Sequence, residues 1–157
     1  MYLKYYPILL VYGKTISNDE PIIEDTIQEL FLGLWERRDN LFIKSTLETY
    51  LFVAFRNNLI RKLKANPKRD LKIELIDIEQ PEAIHQKEQQ LKTLLNKLPP
   101  RQKEVVFLRY YKNKSYREIA EILNISYQVA RNFSYRAIRY LKKNFKHIHS
   151  IVLSIII

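Results

Sequence analysis

The chain has no cysteine, which removes disulfide staples, thiolate zinc sites, iron–sulfur clusters and thiol nucleophiles in one step. It has only two glycines, Gly13 and Gly33, so few positions suit a left-handed turn or a phosphate-cradling loop. P-loop and dinucleotide chemistry are therefore disfavoured, and helices are expected nearly throughout. Long hydrophobic runs are missing too. The stretch from Met1 to Pro7 offers neither an apolar run nor a small-residue cleavage site, so no secretory signal is read. Residues 148–157 carry seven large apolar side chains, too few for a membrane crossing, which takes about 20. A cytoplasmic protein without membrane insertion is expected. The three histidines, His85, His147 and His149, form no recognisable triad, and His147-x-His149 lacks further ligands of the usual metal-site kind. No catalytic residue, metal or cofactor is expected.

Acidic residues are scarce in one place. None follows Glu121, whereas Arg131, Arg136, Arg139, Lys142, Lys143 and Lys146 do. Residues 1–65 hold nine Lys/Arg against eight Asp/Glu, 66–98 hold six of each, and 99–157 hold twelve against three. Nearly all of the net charge of +10 thus falls in the C-terminal third. Cations ranged along one element release counterions from nucleic acid, so a polyanion partner is the physical reading. Charge alone also allows a solvated basic face or a lipid-headgroup surface.

A length of 157 residues fits one ordinary domain or two small ones, and 46% hydrophobic residues suffice for a core. Residues 2–14 read as a helix. In 18–36, Ile23, Ile27, Leu30, Phe31 and Leu34 recur at three and four residues, with Asp19 as N-cap and Pro21 in the first turn. A third run, 47–64, would turn Leu47, Leu51, Ala54, Phe55 and Leu63 inward and show Phe52, Arg56 and Arg61 on its outer face. The first 65 residues thus predict a small helical bundle. Two prolines and mixed charge without helical period make 66–82 a linker. A helix over 83–97 follows, and the Pro99-Pro100 pair sets a stop and a new start.

Beyond it the sequence predicts helices over 100–111, 115–123 and 126–145. Ser115 and Glu118 have capping-box spacing. In the short joint Asn124-Ile125-Ser126, Asn124 suits a left-handed helix end and Ser126 the next N-cap. A short helix joined this tightly to a basic one describes a helix-turn-helix. On the second helix Ala130, Phe133, Ala137 and Leu141 form an apolar stripe, opposite Gln128, Arg131, Asn132, Tyr135, Arg136 and Arg139. Arginine forks suit guanine O6/N7, amides suit adenine, and tyrosine packs on a thymine methyl or bonds a phosphate.

The run Leu98-Pro-Pro-Arg-Gln-Lys-Glu-Val-Val-Phe-Leu-Arg-Tyr110, then Ser115-Tyr-Arg-Glu-Ile-Ala-Glu-Ile-Leu-Asn-Ile-Ser126 and Arg136-Ala137, resembles region 4 of the extracytoplasmic-function sigma factors of bacterial RNA polymerase. LuxR-type regulators share the helix-turn-helix portion. Glu24-Asp25-Thr-Ile-Gln28-Glu-Leu-Phe31-Leu-Gly-Leu-Trp35-Glu36 resembles the family's region 2.2, and Tyr50-Leu-Phe-Val-Ala-Phe-Arg56-Asn57 its region 2.4, in the style common in Bacteroidetes. The resemblance implies an all-α chain of two small helical domains: region 2 over 1–65, a linker over 66–82 and region 4 over 83–147. The apolar tail over 148–157 is expected to pack on region 4 or a partner, because seven exposed large apolar side chains would be an aggregation liability.

It also implies partners. Asp25, Gln28 and Phe31 would meet the clamp helices of the polymerase's largest subunit, although Phe31 and Trp35 equally fit a core role. Lys44, Ser45 and Thr46 would capture a flipped base of the -10 element, with Arg56, Asn57 and Arg61 along the same strand; unstacking costs on the order of a few kcal/mol, recovered in the pocket. Ser126, Gln128, Arg131, Asn132, Tyr135, Arg136 and Arg139 would face the -35 element. Core RNA polymerase, promoter DNA and an anti-sigma factor are the implied partners. The sequence departs from the family's habit in Arg61, where many relatives have aspartate, and in Asn124 and Val129, which replace the commoner glycine and threonine. A helix-turn-helix regulator that never touches polymerase, with 1–65 as a sensor or dimerisation domain, is the alternative.

Overall fold

Residues 1–67 and 82–145 are described by the structure, a computed structural model, with the backbone alone for 82–88. They form helices and short connections, with no strand among the described residues, in two compact units: one holds 1–67 and the other most of 82–145. The expected linker over 66–82 lies almost wholly outside the described residues, as do Lys146, His147, His149 and the tail 148–157.

The first unit consists of α1 (Tyr2–Lys14), α2 (Glu20–Glu36) and α3 (Leu47–Ala65), each packed on the other two. Asp19 caps α2 as its spacing predicts, its Oδ1 accepting from the Ile22 N–H at 3.2 Å. Such a cap is worth about 1 kcal/mol. Ile23, Ile27, Leu30 and Leu34 of α2 are buried, and the helix is tied to α1 by the Tyr6 hydroxyl donating to Glu24 (2.8 Å) and by Lys14 with Glu20 (3.0 Å). The close approach of α1 depends on Gly13, where an added Cβ would lie 2.5 Å from Ile23 Cγ2 and 3.1 Å from Phe55 Cζ.

Three expectations about side-chain direction are corrected here. Phe52 and Arg56 were expected on the outer face of α3, yet they are only 1% and 5% exposed. The cause is that α3 packs against both other helices, so its buried stripe is broad: Leu51, Phe52, Phe55, Arg56, Leu59 and Leu63. Tyr12 of α1 meets Phe52 edge-on at 5.0 Å and lies 6.0 Å from Phe55, and Arg56, one helical turn beyond Phe52, follows it inward. Trp35, which fitted a core role, is 66% exposed, with the Arg38 guanidinium 4.6 Å from its ring centre.

The second unit consists of α4 (Glu82–Asn96), α5 (Pro100–Val106), α6 (Tyr116–Leu123) and α7 (Tyr127–Asn144). Pro100 takes the first position of α5, where a missing N–H costs nothing. Leu98, Ala137, Leu141 and Phe145 form a buried cluster against which Leu91, Leu94, Leu95 and Val106 pack, so α4 and α5 both lean on α7. The continuous helix expected over 100–111 is instead α5 followed by a π turn, Phe107–Tyr111, with the Lys112 N–H reaching back to the Phe107 carbonyl at 3.1 Å. The wider turn stacks Phe107 on Tyr111 at 5.0 Å and ends at Asn113, whose φ of 52° is left-handed. Arg109 then donates to the Lys114 carbonyl at 2.9 Å.

Candidate functional site

The joint between α6 and α7 is fixed at both sides by short-range hydrogen bonds. At the start of α6 the capping box forms as the spacing predicts: the Glu118 N–H donates to Ser115 Oγ (3.2 Å), and the Ser115 N–H donates to Glu118 Oε2 (2.8 Å). The Ser115 hydroxyl also donates to that carboxylate at 2.9 Å, and Lys114 Nζ lies 3.2 Å from its other oxygen. Burial works to raise the Glu118 pKa, but these donors together outweigh it and hold the carboxyl below the ordinary glutamate value.

α6 ends in a Schellman turn. Asn124 has φ 51°, its N–H donates to the Glu121 carbonyl (3.2 Å), and the Ile125 N–H donates to the Ala120 carbonyl (3.0 Å). Asparagine serves where a glycine is usual because its short polar side chain tolerates the left-handed region. Ser126 then caps α7, its Oγ accepting from the Val129 N–H at 3.2 Å. The hydroxyl proton of Ser126 is not used by that bond, so it remains a donor at an exposed helix start.

All seven residues expected to face DNA from this helix, Ser126, Gln128, Arg131, Asn132, Tyr135, Arg136 and Arg139, are exposed. The opposite stripe is buried at Ala130, Ala137 and Leu141. Phe133, expected on it, is half-buried, and Ser134 takes the fully buried place with 2% exposure. Ser134 is tolerated there because the Tyr116 hydroxyl donates to its Oγ at 3.1 Å and Tyr110 Oη lies 3.3 Å away. Gln128 Nε2 donates to Asn132 Oδ1 at 3.4 Å, which sets two amide side chains side by side. Lys142 and Lys143, both exposed, follow in the last turn of α7. The arrangement is an exposed helix face whose charged groups are all cationic, with amide and hydroxyl side chains among them, directly after a three-residue joint. A major groove accepts a helix with these donors.

In the first unit the candidates separate into surface and scaffold. Asp25 and Gln28 are exposed on α2, and Phe31 is half-buried, edge-on to Tyr2 at 5.0 Å. Asp25 is not solitary: Lys62 of α3 bonds it and also Glu29, the latter at 2.9 Å. Burial acts to lower the Lys62 pKa, but the two carboxylates prevail and hold it above the ordinary lysine value. Lys44, Asn57 and Arg61 are exposed and Ser45 is half-buried. Thr46 is the N-cap of α3, its Oγ1 accepting from the Thr49 N–H (3.2 Å) and donating to Thr49 Oγ1 (2.9 Å). Arg56 is inside the unit. Sequence reasoning missed Lys62, Tyr116 and Ser134; the only signal for Lys62 was a cation on α3 that could reach two α2 carboxylates one turn apart.

Among the described residues no helix is long and apolar enough to cross a membrane, and no group of three or more His, Asp or Glu could hold a metal ion. No curated protein matches the sequence significantly. Among solved structures, the chain is similar to the sigma factor RpoE of Bartonella quintana, solved in complex with the anti-sigma factor NepR. Identity is 23% with a TM-score of 0.69, over 92% of this chain and 94% of that one. It is also similar to CnrH, solved in complex with the cytosolic domain of CnrY, at 19% identity and a TM-score of 0.60, over 90% of this chain and 82% of that one. At these identities the likeness concerns the fold. Sequence families speak more directly: sigma-70 region 2 matches residues 1–69 and "Sigma-70, region 4" matches residues 88–141, so the two cover most of the chain. With region 2 and region 4 in this order and a two-unit helical fold to match, the chain belongs to the sigma-70 family.

Proposed function

We propose that the exposed stripe of α7, from Ser126 to Arg139, reads the -35 element, with Arg131, Asn132, Tyr135 and Arg136 toward base edges and Lys142 and Lys143 toward phosphates. As a sigma factor the chain binds core RNA polymerase and directs it to promoter DNA. The observation that carries it is the exposure of that cationic stripe on a helix whose other face is buried and whose start is capped and turned by Asn124 and Ser126. Region 2 lies over 1–65 and region 4 over 83–147 in this reading, with a linker over 66–82 between them.

The -10 strand is contacted from the first unit by Lys44, Ser45, Asn57 and Arg61, whose side chains are at least partly exposed. Thr46 shapes that loop by capping α3, and the buried Arg56 supports the helix from within. Asp25, Gln28 and Phe31 on α2 face the clamp helices of the largest polymerase subunit. An anti-sigma factor is proposed as a further partner, supported by the complexes in which both similar structures were solved. The activity belongs in the cytoplasm, where polymerase works, and the sequence style is that of Bacteroidetes. The chemistry of initiation is the polymerase's, so no enzymatic role is assigned to this chain.

Run-off transcription by purified core enzyme with and without the chain tests the proposal. Initiation from a promoter carrying both elements is expected only when the chain is added, and its loss is expected when the -35 element is scrambled. A chain that binds DNA but leaves core enzyme inactive would instead be a regulator.

A further inference from the structure

The first helix of the joint sends a line of aromatic and cationic groups into the recognition helix. Arg109, anchored on the Lys114 carbonyl at 2.9 Å, places its guanidinium 4.7 Å from the centre of the Tyr116 ring. Tyr116, half-buried on α6, is held from its other end by the hydroxyl it donates to the buried Ser134. Its ring meets that of Tyr127 at 6.1 Å and 87°, an edge-to-face contact. Tyr127 is the first residue of α7 and is 45% exposed, and the Arg131 guanidinium, one turn further on, lies 5.9 Å from its ring centre.

Each link removes a freedom from the next. The Tyr116 ring is fixed at its hydroxyl and on one face. Tyr127, edge-on to a fixed ring, has its own rotation limited. Arg131 is a long side chain with several rotatable bonds, and on an exposed helix face it would otherwise sample many rotamers. A ring one turn below it favours those in which the guanidinium lies over the π face. We infer that Tyr127 is a positioning residue for promoter reading: it pre-orients the Arg131 fork, and Tyr116 with Ser134 behind it fixes Tyr127. The inference rests on the proposal that Arg131 reads a base. It adds that the selectivity at that base depends on an aromatic ring that need not touch DNA.

The test uses the full chain assembled with core polymerase and a promoter library randomised in the -35 element, comparing Tyr127→Phe, Tyr127→Leu, Arg131→Ala and the double variant Tyr127→Leu/Arg131→Ala. Tyr127→Phe keeps the ring and is expected to retain wild-type selectivity. Tyr127→Leu is expected to lose about two- to fivefold of the discrimination at the one position that Arg131→Ala relaxes, the range an exposed cation–π contact supports. Other positions should hold, and the double variant should be no more relaxed than Arg131→Ala. If Arg131→Ala relaxes a position but Tyr127→Leu does not, or if Tyr127→Leu weakens all sequences alike, the positioning role is overturned and base reading stands. If Arg131→Ala changes no preference, base reading fails and the positioning role fails with it. Tyr127 is half in solvent, so thermal melts of all four variants should match wild type closely, and a shared collapse in melting would likewise overturn the inference in favour of a structural role.

Discussion

The two glycines invite opposite responses to the same substitution. Gly13 stands in the last turn of α1, and a methyl group there would fall 2.5 Å from Ile23 Cγ2, 3.2 Å from Ile23 Cγ1 and 3.1 Å from Phe55 Cζ. Ile23 and Phe55 are both fully buried, so neither has free space to retreat into. Overpacking of this kind costs typically about 1–3 kcal/mol. Against it stands the helix preference of alanine over glycine, about 1 kcal/mol in a helix interior and less near an end. Gly13→Ala should therefore destabilise the first unit by roughly 1–2 kcal/mol. Gly33 is in the interior of α2, and a methyl there meets only the far end of Arg37, 3.2 Å away, which swings aside on a flexible chain. Gly33→Ala should stabilise the same unit by up to about 1 kcal/mol. The single tryptophan, Trp35, lies in this unit, so its fluorescence follows urea unfolding of α2 and its neighbours. Equal stabilisation by both substitutions would refute the close approach of α1 to Ile23 and Phe55.

Alanine at both Asp25 and Gln28 should weaken core-polymerase binding in a pull-down while leaving far-UV circular dichroism unchanged; undiminished binding would remove that face of α2 from the interface. Arg131→Ala and Arg136→Ala should each cost about 1–3 kcal/mol where they fork a base and relax preference at one position. Alanine at Lys142 or Lys143 should instead weaken all promoters alike and lower the salt slope by about one unit, measured by competition binding at two salt concentrations. Ser115→Ala should cost about 0.5–2 kcal/mol of thermal stability at neutral pH. Glu118 has a lowered pKa when folded, so the capping box contributes fully above the ordinary glutamate value of 4.5 and is lost as pH falls through the lower folded value. The gap between wild type and Ser115→Ala should therefore narrow in acid, and a gap that widened there would contradict the reciprocal cap.

The parts of this fold that were legible in advance are those decided within a few residues. The cap at Asp19, the Ser115–Glu118 box, the left-handed Asn124 and the cap at Ser126 each depend on a side chain and backbone groups two to four positions away. The exposed face of α7 was legible because its polar stripe is long and unbroken. The direction of Phe52, Arg56 and Trp35 was not, because it depends on which neighbours a helix meets. α3 packs on two helices, and periodicity alone fits either a narrow stripe with Ala54 or a broad one with Phe52. The π turn at Phe107–Tyr111 carries no local composition that distinguishes it from α-helix. The pairing of Lys62 with Asp25 and Glu29 spans separate helices, so it appeared only once α2 and α3 were side by side. Of the site, the -35 candidates were placed together on one face, whereas the -10 candidates divided among exposed side chains, a helix cap and a buried arginine.

The joint at Asn124 has a bearing on how such a protein can diversify. Its two backbone hydrogen bonds, Asn124 to Glu121 and Ile125 to Ala120, count residues: they close only for one chain length. An inserted or deleted residue would shift the register of α7 by about 100° around its axis. Ala130, Ser134, Ala137 and Leu141 would then be carried out of the interior and arginines carried in, undoing the packing of the helix. Point replacements on the outer face leave the interior untouched. Lineages descending from this chain are thus free to vary the outer face of α7 by exchanging letters, while gaps in the genetic text of 120–126 are closed to them.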